Sequence, residues 1–152
     1  MIKTVIAETE NDLRLIAEKL AASLSGGEFI AFFGGLGAGK TTFVRHFAAA
    51  YGIDAAASPT FTIVRSYENE RISILHFDCY RLADADELEA IGFSDYLSSG
   101  STVFMEWSEN VPGALPPERL EIHIEGSGDE PRKLEFRSFG EHCDAILEAL
   151  PL

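Results

Sequence analysis

The amino-acid sequence predicts an α/β fold: a three-layer α/β/α sandwich with a mostly parallel central sheet and antiparallel strands at its edge. Three observations predict it. Short apolar runs alternate with stretches of helical periodicity, the pattern of strands crossed over by helices. One run, Phe29–Phe33, is apolar at every position, which suits a strand buried on both faces. Two late runs, Leu120–Glu125 and Lys133–Ser138, alternate like a hairpin pair and supply the antiparallel edge.

The elements follow in order. Thr9-Glu10-Asn11-Asp12 sets a capping hydroxyl three residues ahead of an acid, a helix-start signature. Leu13, Ile16, Ala17, Leu20, Ala21 and Leu24 then recur at helical spacing until Gly26-Gly27 stops the helix. The strand Phe29–Phe33 leads into a glycine-rich loop, Gly34–Gly39, and a helix from Lys40 to about Tyr51 that ends near Gly52. Thr60–Tyr67 and Ile72–Asp78 are rich in β-branched and aromatic residues and read as strands. Asp86–Leu97 reads as a short acidic helix, interrupted or ended around Gly92. Thr102–Glu106 is a further apolar strand, and Val111–Pro117 a proline-rich loop. After the hairpin, Glu141–Leu150 closes as a helix that Pro151 ends. The 152 residues contain no repeat, low-complexity stretch or linker, and are read as one domain.

Composition narrows the function classes. At 46% hydrophobic, the chain holds enough apolar material for a core. No apolar run approaches the roughly 18 residues of a membrane span, and the mixed, acidic N-terminus does not resemble a secretory signal. A cytoplasmic protein without membrane contact is expected. Cys79 and Cys143 form no CxxC pair, and the four histidines sit at no recognisable ligand spacing, which argues against structural zinc and for free thiols. Twelve basic residues face 25 acidic ones, a net charge of −13. Direct grip on a nucleic-acid backbone needs clustered Lys and Arg. A surface this acidic serves solubility and repels phosphate polymers. A phosphate ligand must therefore be held locally, by backbone N–H groups and one or two cations.

Gly34-Gly35-Leu36-Gly37-Ala38-Gly39-Lys40-Thr41 meets that need, because it fits the phosphate-loop pattern G-x-x-x-x-G-K-[ST]. Glycines let the backbone turn tightly enough for successive N–H groups to face the phosphates. The helix that follows presents its positive N-terminal end to the same anion. Lys40 is expected to reach the β- and γ-phosphates of ATP, and the Thr41 hydroxyl to bind Mg²⁺. Gly35, Leu36, Gly37, Ala38 and Gly39 complete the ATP-binding set. Thr42 either assists at the phosphates or merely belongs to the first helical turn. The loop's place between a buried strand and a helix separates it from a chance glycine-rich turn. The sandwich is accordingly read as P-loop nucleoside triphosphate hydrolase-like.

A phosphate loop needs an acid near the metal, and in open parallel sheets the ligand sits beyond the carboxyl ends of the strands. Asp78 and Glu106 each end an apolar strand, with His76 sharing a face with Asp78 and Phe104 with Glu106. Either acid could bind the metal while the other orients the attacking water. Lys40, Asp78 and Glu106 are the catalytic candidates. Ser58-Pro59-Thr60 places hydroxyls just after the loop helix, as contacts to phosphate or metal-bound water or as an ordinary turn. Tyr80-Arg81 reads as a stacking or anion contact, or as surface. Trp107, the single tryptophan, reads from the residues alone as core.

In order and spacing, these segments together resemble the bacterial TsaE (YjeE) family, the ATPase of tRNA threonylcarbamoyladenosine biosynthesis. The likeness covers roughly Asp12 to Glu109. It rests on Gly34–Thr42, Ser58-Pro59-Thr60-Phe61-Thr62, His76-Phe77-Asp78-Cys79-Tyr80-Arg81-Leu82, Glu87-Leu88 leading to Gly92-Phe93, and Glu106-Trp107-Ser108-Glu109. The resemblance implies that Thr41 and Glu106 bind Mg²⁺, that Asp78 is essential for turnover, and that Ser58–Thr62 and His76–Arg81 act as switch segments. It implies that Ser58, Thr60, Tyr80 and Trp107 lie near the nucleotide or face a partner. It also implies the partners TsaD and TsaB, with tRNA reached only through their complex. ATP hydrolysis would then support cycles of adenosine 37 modification in tRNAs reading ANN codons. Gly35 stands where the family usually has Asp, and Cys79 where it usually has Leu. The C-terminal third is only loosely similar. There, Arg132 and Lys133 are either adenine contacts or, more plainly, exposed hairpin charges.

Other functions fit less well. A small-molecule kinase would carry an arginine-rich lid, and no Arg cluster follows the loop. A GTPase would carry an Asn-Lys-x-Asp stretch, which is absent. A non-catalytic nucleotide-binding module would have no use for Asp78 and Glu106.

Overall fold

Segment by segment, the side-chain pattern accounts for the architecture seen in the computed structural model, which describes residues 1–55 and 62–152. The strands are β1 (Ile2–Ala7), β2 (Phe29–Phe33), β3 (Val64–Glu68), β4 (Ser73–Asp78), β5 (Thr102–Glu106), β6 (Arg119–Glu125) and β7 (Arg132–Phe139). The helices are α1 (Glu10–Ser23), α2 (Lys40–Ala50), α3 (Ala85–Glu89), α4 (Phe93–Leu97) and α5 (Glu141–Ala149). All described strands join one sheet, in the order β1-β7-β6-β2-β5-β4-β3.

The middle of the sheet is parallel: β6, β2, β5 and β4 run the same way. Antiparallel strands flank it on both sides, β7 and β1 at one edge and β3 at the other. The sequence located antiparallel character only at the hairpin edge. The β3–β4 pair extends it to the opposite edge, with Arg65 aligned to His76.

Two hydrophobic cores lie on the two faces of the sheet. Ile30 and Phe32 of β2 face α1, α2 and α5, where Leu20, Phe43, Phe47 and Leu147 are fully buried. Phe29 and Ala31 face the other way, toward Leu88 and Phe93 of the short helices. This explains why β2 is apolar at every position. Phe104 of β5 stacks on Phe32 at 5.8 Å and meets Phe47 edge-on at 4.6 Å, fixing β2 and β5 against α2. Fully burying one such side chain stabilises the fold by about 1.5–3 kcal/mol.

Helix ends follow local chemistry. At α1, Thr9 Oγ1 accepts from the Asp12 N–H at 3.2 Å, and an Asp12 carboxylate oxygen accepts from the Thr9 N–H at 3.1 Å. The capping box expected from the sequence is thus complete. Gly92, at φ +90°, breaks the acidic stretch into α3 and α4, a conformation that favours glycine. After β5, a single 3-10 turn, Ser108–Asn110, precedes the proline-rich loop, which holds a second, Pro112–Ala114.

Strand β1 is absent from the sequence-based reading. Its amphipathicity is inverted: Ile2 and Ile6 are 60% and 50% exposed, while Lys3 turns toward α5. There the Lys3 ammonium donates to the carbonyls of Glu148 and Leu150 at 2.9 and 3.0 Å, satisfying the C-terminal end of α5. None of the helices is long and apolar enough to cross a membrane, among the described residues.

Candidate functional site

At the carboxyl ends of β2, β4 and β5 the chain opens into a cavity of about 760 Å³. This lies within the usual range for small-molecule sites. Its floor is the loop between β2 and α2. Gly34 lies against the end of β6, so closely that a Cβ there would stand 2.6 Å from the Ile124 carbonyl oxygen. Gly37 and Gly39 take φ of +78° and +103°, conformations that L side chains rarely adopt. The Ala38 N–H closes a turn on the Gly35 carbonyl at 3.2 Å. Leu36, at the tip, is 80% exposed.

Lys40 and Thr41 open α2. Lys40 is only 4% exposed. Its ammonium donates to the Gly34 carbonyl at 2.7 Å and lies 3.6 Å above the Trp107 ring. Burial pushes its pKa below the ordinary lysine value, against the opposing pull of the Glu106, Glu109 and Asp78 carboxylates. The Thr41 hydroxyl meets both carboxylate oxygens of Glu106, at 3.0 and 2.9 Å. Thr42 lines the cavity one residue on.

Glu106 is buried at the end of β5 and sits beside Asp78 in the parallel register of β4 and β5. The buried His76 sits two residues before Asp78 on β4, and its Nε2 lies 2.5 Å from Glu106 Oε2. The three groups Thr41, Glu106 and His76 thus form one chain across α2, β5 and β4. Thr41 and Glu106 offer oxygen donors of the kind hard cations take. No cluster of three or more His, Cys, Asp or Glu that could hold a metal unaided occurs among the described residues. A cation at Thr41 and Glu106 would need oxygens from its ligand as well.

Asp78 lines the cavity, and one of its carboxylate oxygens accepts from the Tyr80 N–H at 3.0 Å. The Tyr80 ring, 58% exposed, packs against Trp107 with centroids 5.0 Å apart. Trp107 is half-buried, with φ +59° on a non-glycine residue. It belongs to the cavity wall as well as to the second core, which the core reading from the residues alone did not anticipate. The Cys79 N–H donates to the Glu106 carbonyl at 3.0 Å, and the Asn110 side chain donates to the Cys79 and Tyr80 carbonyls. Cys79 itself is buried, with its thiol pushed up to about 12 by burial and by the Asp78 and Glu106 charges. The structure therefore brings Leu36 to Thr42, Asp78, Tyr80, Glu106 and Trp107 around one cavity, with Gly35 in the same loop but outside the cavity lining. Ser58 and Thr60 lie outside the described residues.

Three contacts were not read from the sequence, although His76 and Arg132 themselves were named there. The His76 contact depends on strand register. Asn110 depends on the turn after β5. Arg132 depends on the hairpin reaching the loop: its guanidinium donates to the Ala38 and Gly37 carbonyls at 3.0 and 3.3 Å. It lines the cavity and is bound to backbone carbonyls rather than standing as a free surface charge. Lys133, by contrast, is exposed.

Known proteins resemble this chain in sequence and in fold. The model of the family described as "Threonylcarbamoyl adenosine biosynthesis protein TsaE" matches residues 7–134. The tRNA threonylcarbamoyladenosine biosynthesis protein TsaE of Bacillus subtilis is 36% identical over 140 residues, covering 91% of this chain and 87% of that protein. The TsaE protein of Aquifex aeolicus is 40% identical over 112 residues, covering 72% and 79% respectively. The crystal structure of Bacillus subtilis YdiB superposes with a TM-score of 0.81 at 30% identity, covering 99% of this chain and 95% of that one.

Proposed function

The chain belongs to the TsaE family, and on that premise we propose that it binds and hydrolyses Mg-ATP in tRNA threonylcarbamoyladenosine biosynthesis. It acts there as a nucleotide-dependent switch on a TsaB–TsaD complex. One observation carries the chemical part. Behind a glycine loop, the Thr41 hydroxyl lies on the Glu106 carboxylate, with the Lys40 ammonium buried beside them.

Each of these groups is paired within the protein, and a bound triphosphate gives each a new partner. Lys40 leaves the Gly34 carbonyl for the β- and γ-phosphates. The loop N–H groups take the remaining phosphate charge. Thr41 and Glu106 hold Mg²⁺, with His76 keeping the Glu106 carboxylate in place. A Mg²⁺ held there would supply charge neutralisation to the bound phosphates. Asp78, beside Glu106 and open to the cavity, orients the attacking water. Loss of the γ-phosphate then frees the segments around Tyr80 and Trp107. A partner docked on those segments feels the nucleotide state. Contact with tRNA runs through that partner.

Steady-state ATP hydrolysis, with and without the TsaB–TsaD pair, tests both halves, with Lys40→Ala as the blank. The expected result is slow turnover alone, stimulated by the partners and absent in the blank. Asp78→Ala should slow turnover more than it weakens ATP binding. Turnover that ignores the partners would remove the switch. Lys40→Ala protein that hydrolyses ATP normally would remove the phosphate-loop mechanism.

A further inference from the structure

The hairpin between β6 and β7 sits on the far side of the phosphate loop from the catalytic strands, yet it is bound tightly to that loop. Arg132, the first residue of β7, carries the connection. Its Nε donates to the Ala38 carbonyl at 3.0 Å, and one terminal nitrogen donates to the carbonyls of Gly37, at 3.3 Å, and Gly128, at 3.0 Å. The other terminal nitrogen donates to the Glu130 carbonyl. The guanidinium is thus shared among four backbone oxygens, two on the loop and two on the hairpin. Only a planar fork with five donors can do this.

The geometry fixes peptide planes. In a trans peptide the N–H points opposite to the C=O. Anchoring the Gly37 and Ala38 carbonyls on one side therefore sets the direction of the Ala38 and Gly39 N–H groups on the other. The hairpin has a backbone suited to the role. A Cβ at Gly126 would stand 2.4 Å from the Pro131 carbonyl and 3.1 Å from Arg132 Cδ, so glycine lets the hairpin close around the arginine stem. Gly34, pressed against Ile124 at the end of β6, is a second contact between hairpin and loop. Arg132 also adds a fixed positive charge on the side of the cavity where Asp129 and Glu130 lie.

We propose that Arg132 is a positioning residue of the nucleotide site: it clamps the phosphate loop to the β6–β7 hairpin and preforms the loop before the nucleotide arrives. This rests on the nucleotide-binding reading above. Its effect belongs in binding and not in the chemical step, because the guanidinium is spent on backbone carbonyls.

The test compares Arg132→Lys and Arg132→Ala with the unaltered protein in two measurements. The first is the affinity for ATP, by calorimetry, with turnover at saturating ATP recorded alongside. The second is amide hydrogen exchange at Ala38 and Gly39 in nucleotide-free protein. The expected result is an affinity loss of about tenfold or more, the scale of losing charge-assisted hydrogen bonds. Turnover at saturation stays within about twofold. Exchange at the two loop amides quickens while exchange in β2 and β5 is unchanged. Lysine does not rescue, since a single ammonium cannot span four carbonyls, whereas millimolar guanidinium added to Arg132→Ala recovers part of the affinity.

Weakened affinity with unchanged loop exchange would mean that Arg132 touches the nucleotide directly, and would overturn the clamp. Unchanged affinity would overturn it too. If Arg132→Ala fails to fold, Arg132→Lys, which keeps the aliphatic stem, carries the same comparison. If the unaltered protein binds no nucleotide, the nucleotide-binding reading fails. The exchange measurement still decides whether Arg132 orders the loop.

Discussion

Lys40 shows how far one residue's surroundings set the behaviour of the site. In the folded protein its ammonium is surrounded by the Gly34 carbonyl, the Trp107 ring and the nearby carboxylates, with little water. Burial lowers its pKa, so it loses its proton at a lower pH than an ordinary lysine does. Phosphate binding requires the charged form. The sign follows: affinity for ATP holds where Lys40 is protonated and falls as pH rises through its lowered pKa. An ordinary lysine would keep its charge further into the alkaline range. Binding in that range should also take up protons, because the phosphates pull the pKa back up. Calorimetry in buffers of different ionisation enthalpy checks this. A buffer-independent heat, or an affinity flat up to the ordinary lysine range, would show that Lys40 does not carry the interaction. The Lys40→Ala protein should lose the proton uptake.

At the scale of elements, the phosphate loop depends on adjacent glycines with opposite requirements. At Gly34 a side chain would run into the Ile124 carbonyl, whereas at Gly35 it would meet nothing within 4 Å, and the backbone there lies outside the left-handed region. Gly34→Ala should therefore lower stability, by about 1–3 kcal/mol as for an overpacked site, and displace the loop from β6. Gly35→Ala should raise stability by about 0.4–1 kcal/mol, by restricting the unfolded chain. Urea denaturation reads both, and equal effects of one sign would contradict the geometry. The loop was legible from sequence because its eight residues are consecutive and its glycines answer to local backbone geometry. The strand Thr102–Glu106 and the α1 capping box were legible for the same reason. Strand β1 was hidden because its isoleucines face solvent and its lysine faces a helix end. The His76–Glu106 contact joins residues 30 apart, and the Arg132–Ala38 contact residues 94 apart. Neither separation carries a local pattern, so only the sheet order and register reveal them.

For the whole molecule, the charge balance decides what it can hold without help. A net charge of −13 is spread over a chain whose cavity is lined by only three cations among the described residues, Lys40, Arg81 and Arg132. Lys40 is buried and Arg132 is committed to backbone carbonyls. A triphosphate fits such a site because loop N–H groups and a short-range cation neutralise it locally. A polyanion does not, because each further phosphate meets an acidic surface, and its affinity grows only with the number of Lys and Arg contacts. The protein alone should therefore show no appreciable tRNA retention in a filter or mobility assay at roughly 0.15 M salt, where screening extends over about 8 Å. Retention should appear only when the TsaB–TsaD pair is added. Lowering the salt should not rescue binding by the isolated chain, since weaker screening strengthens repulsion between like charges. If the isolated chain retained tRNA, and held it more tightly as salt fell, a basic surface would have to form on the protein. The partner-supplied contact to tRNA would then be wrong, although the nucleotide site would stand unchanged.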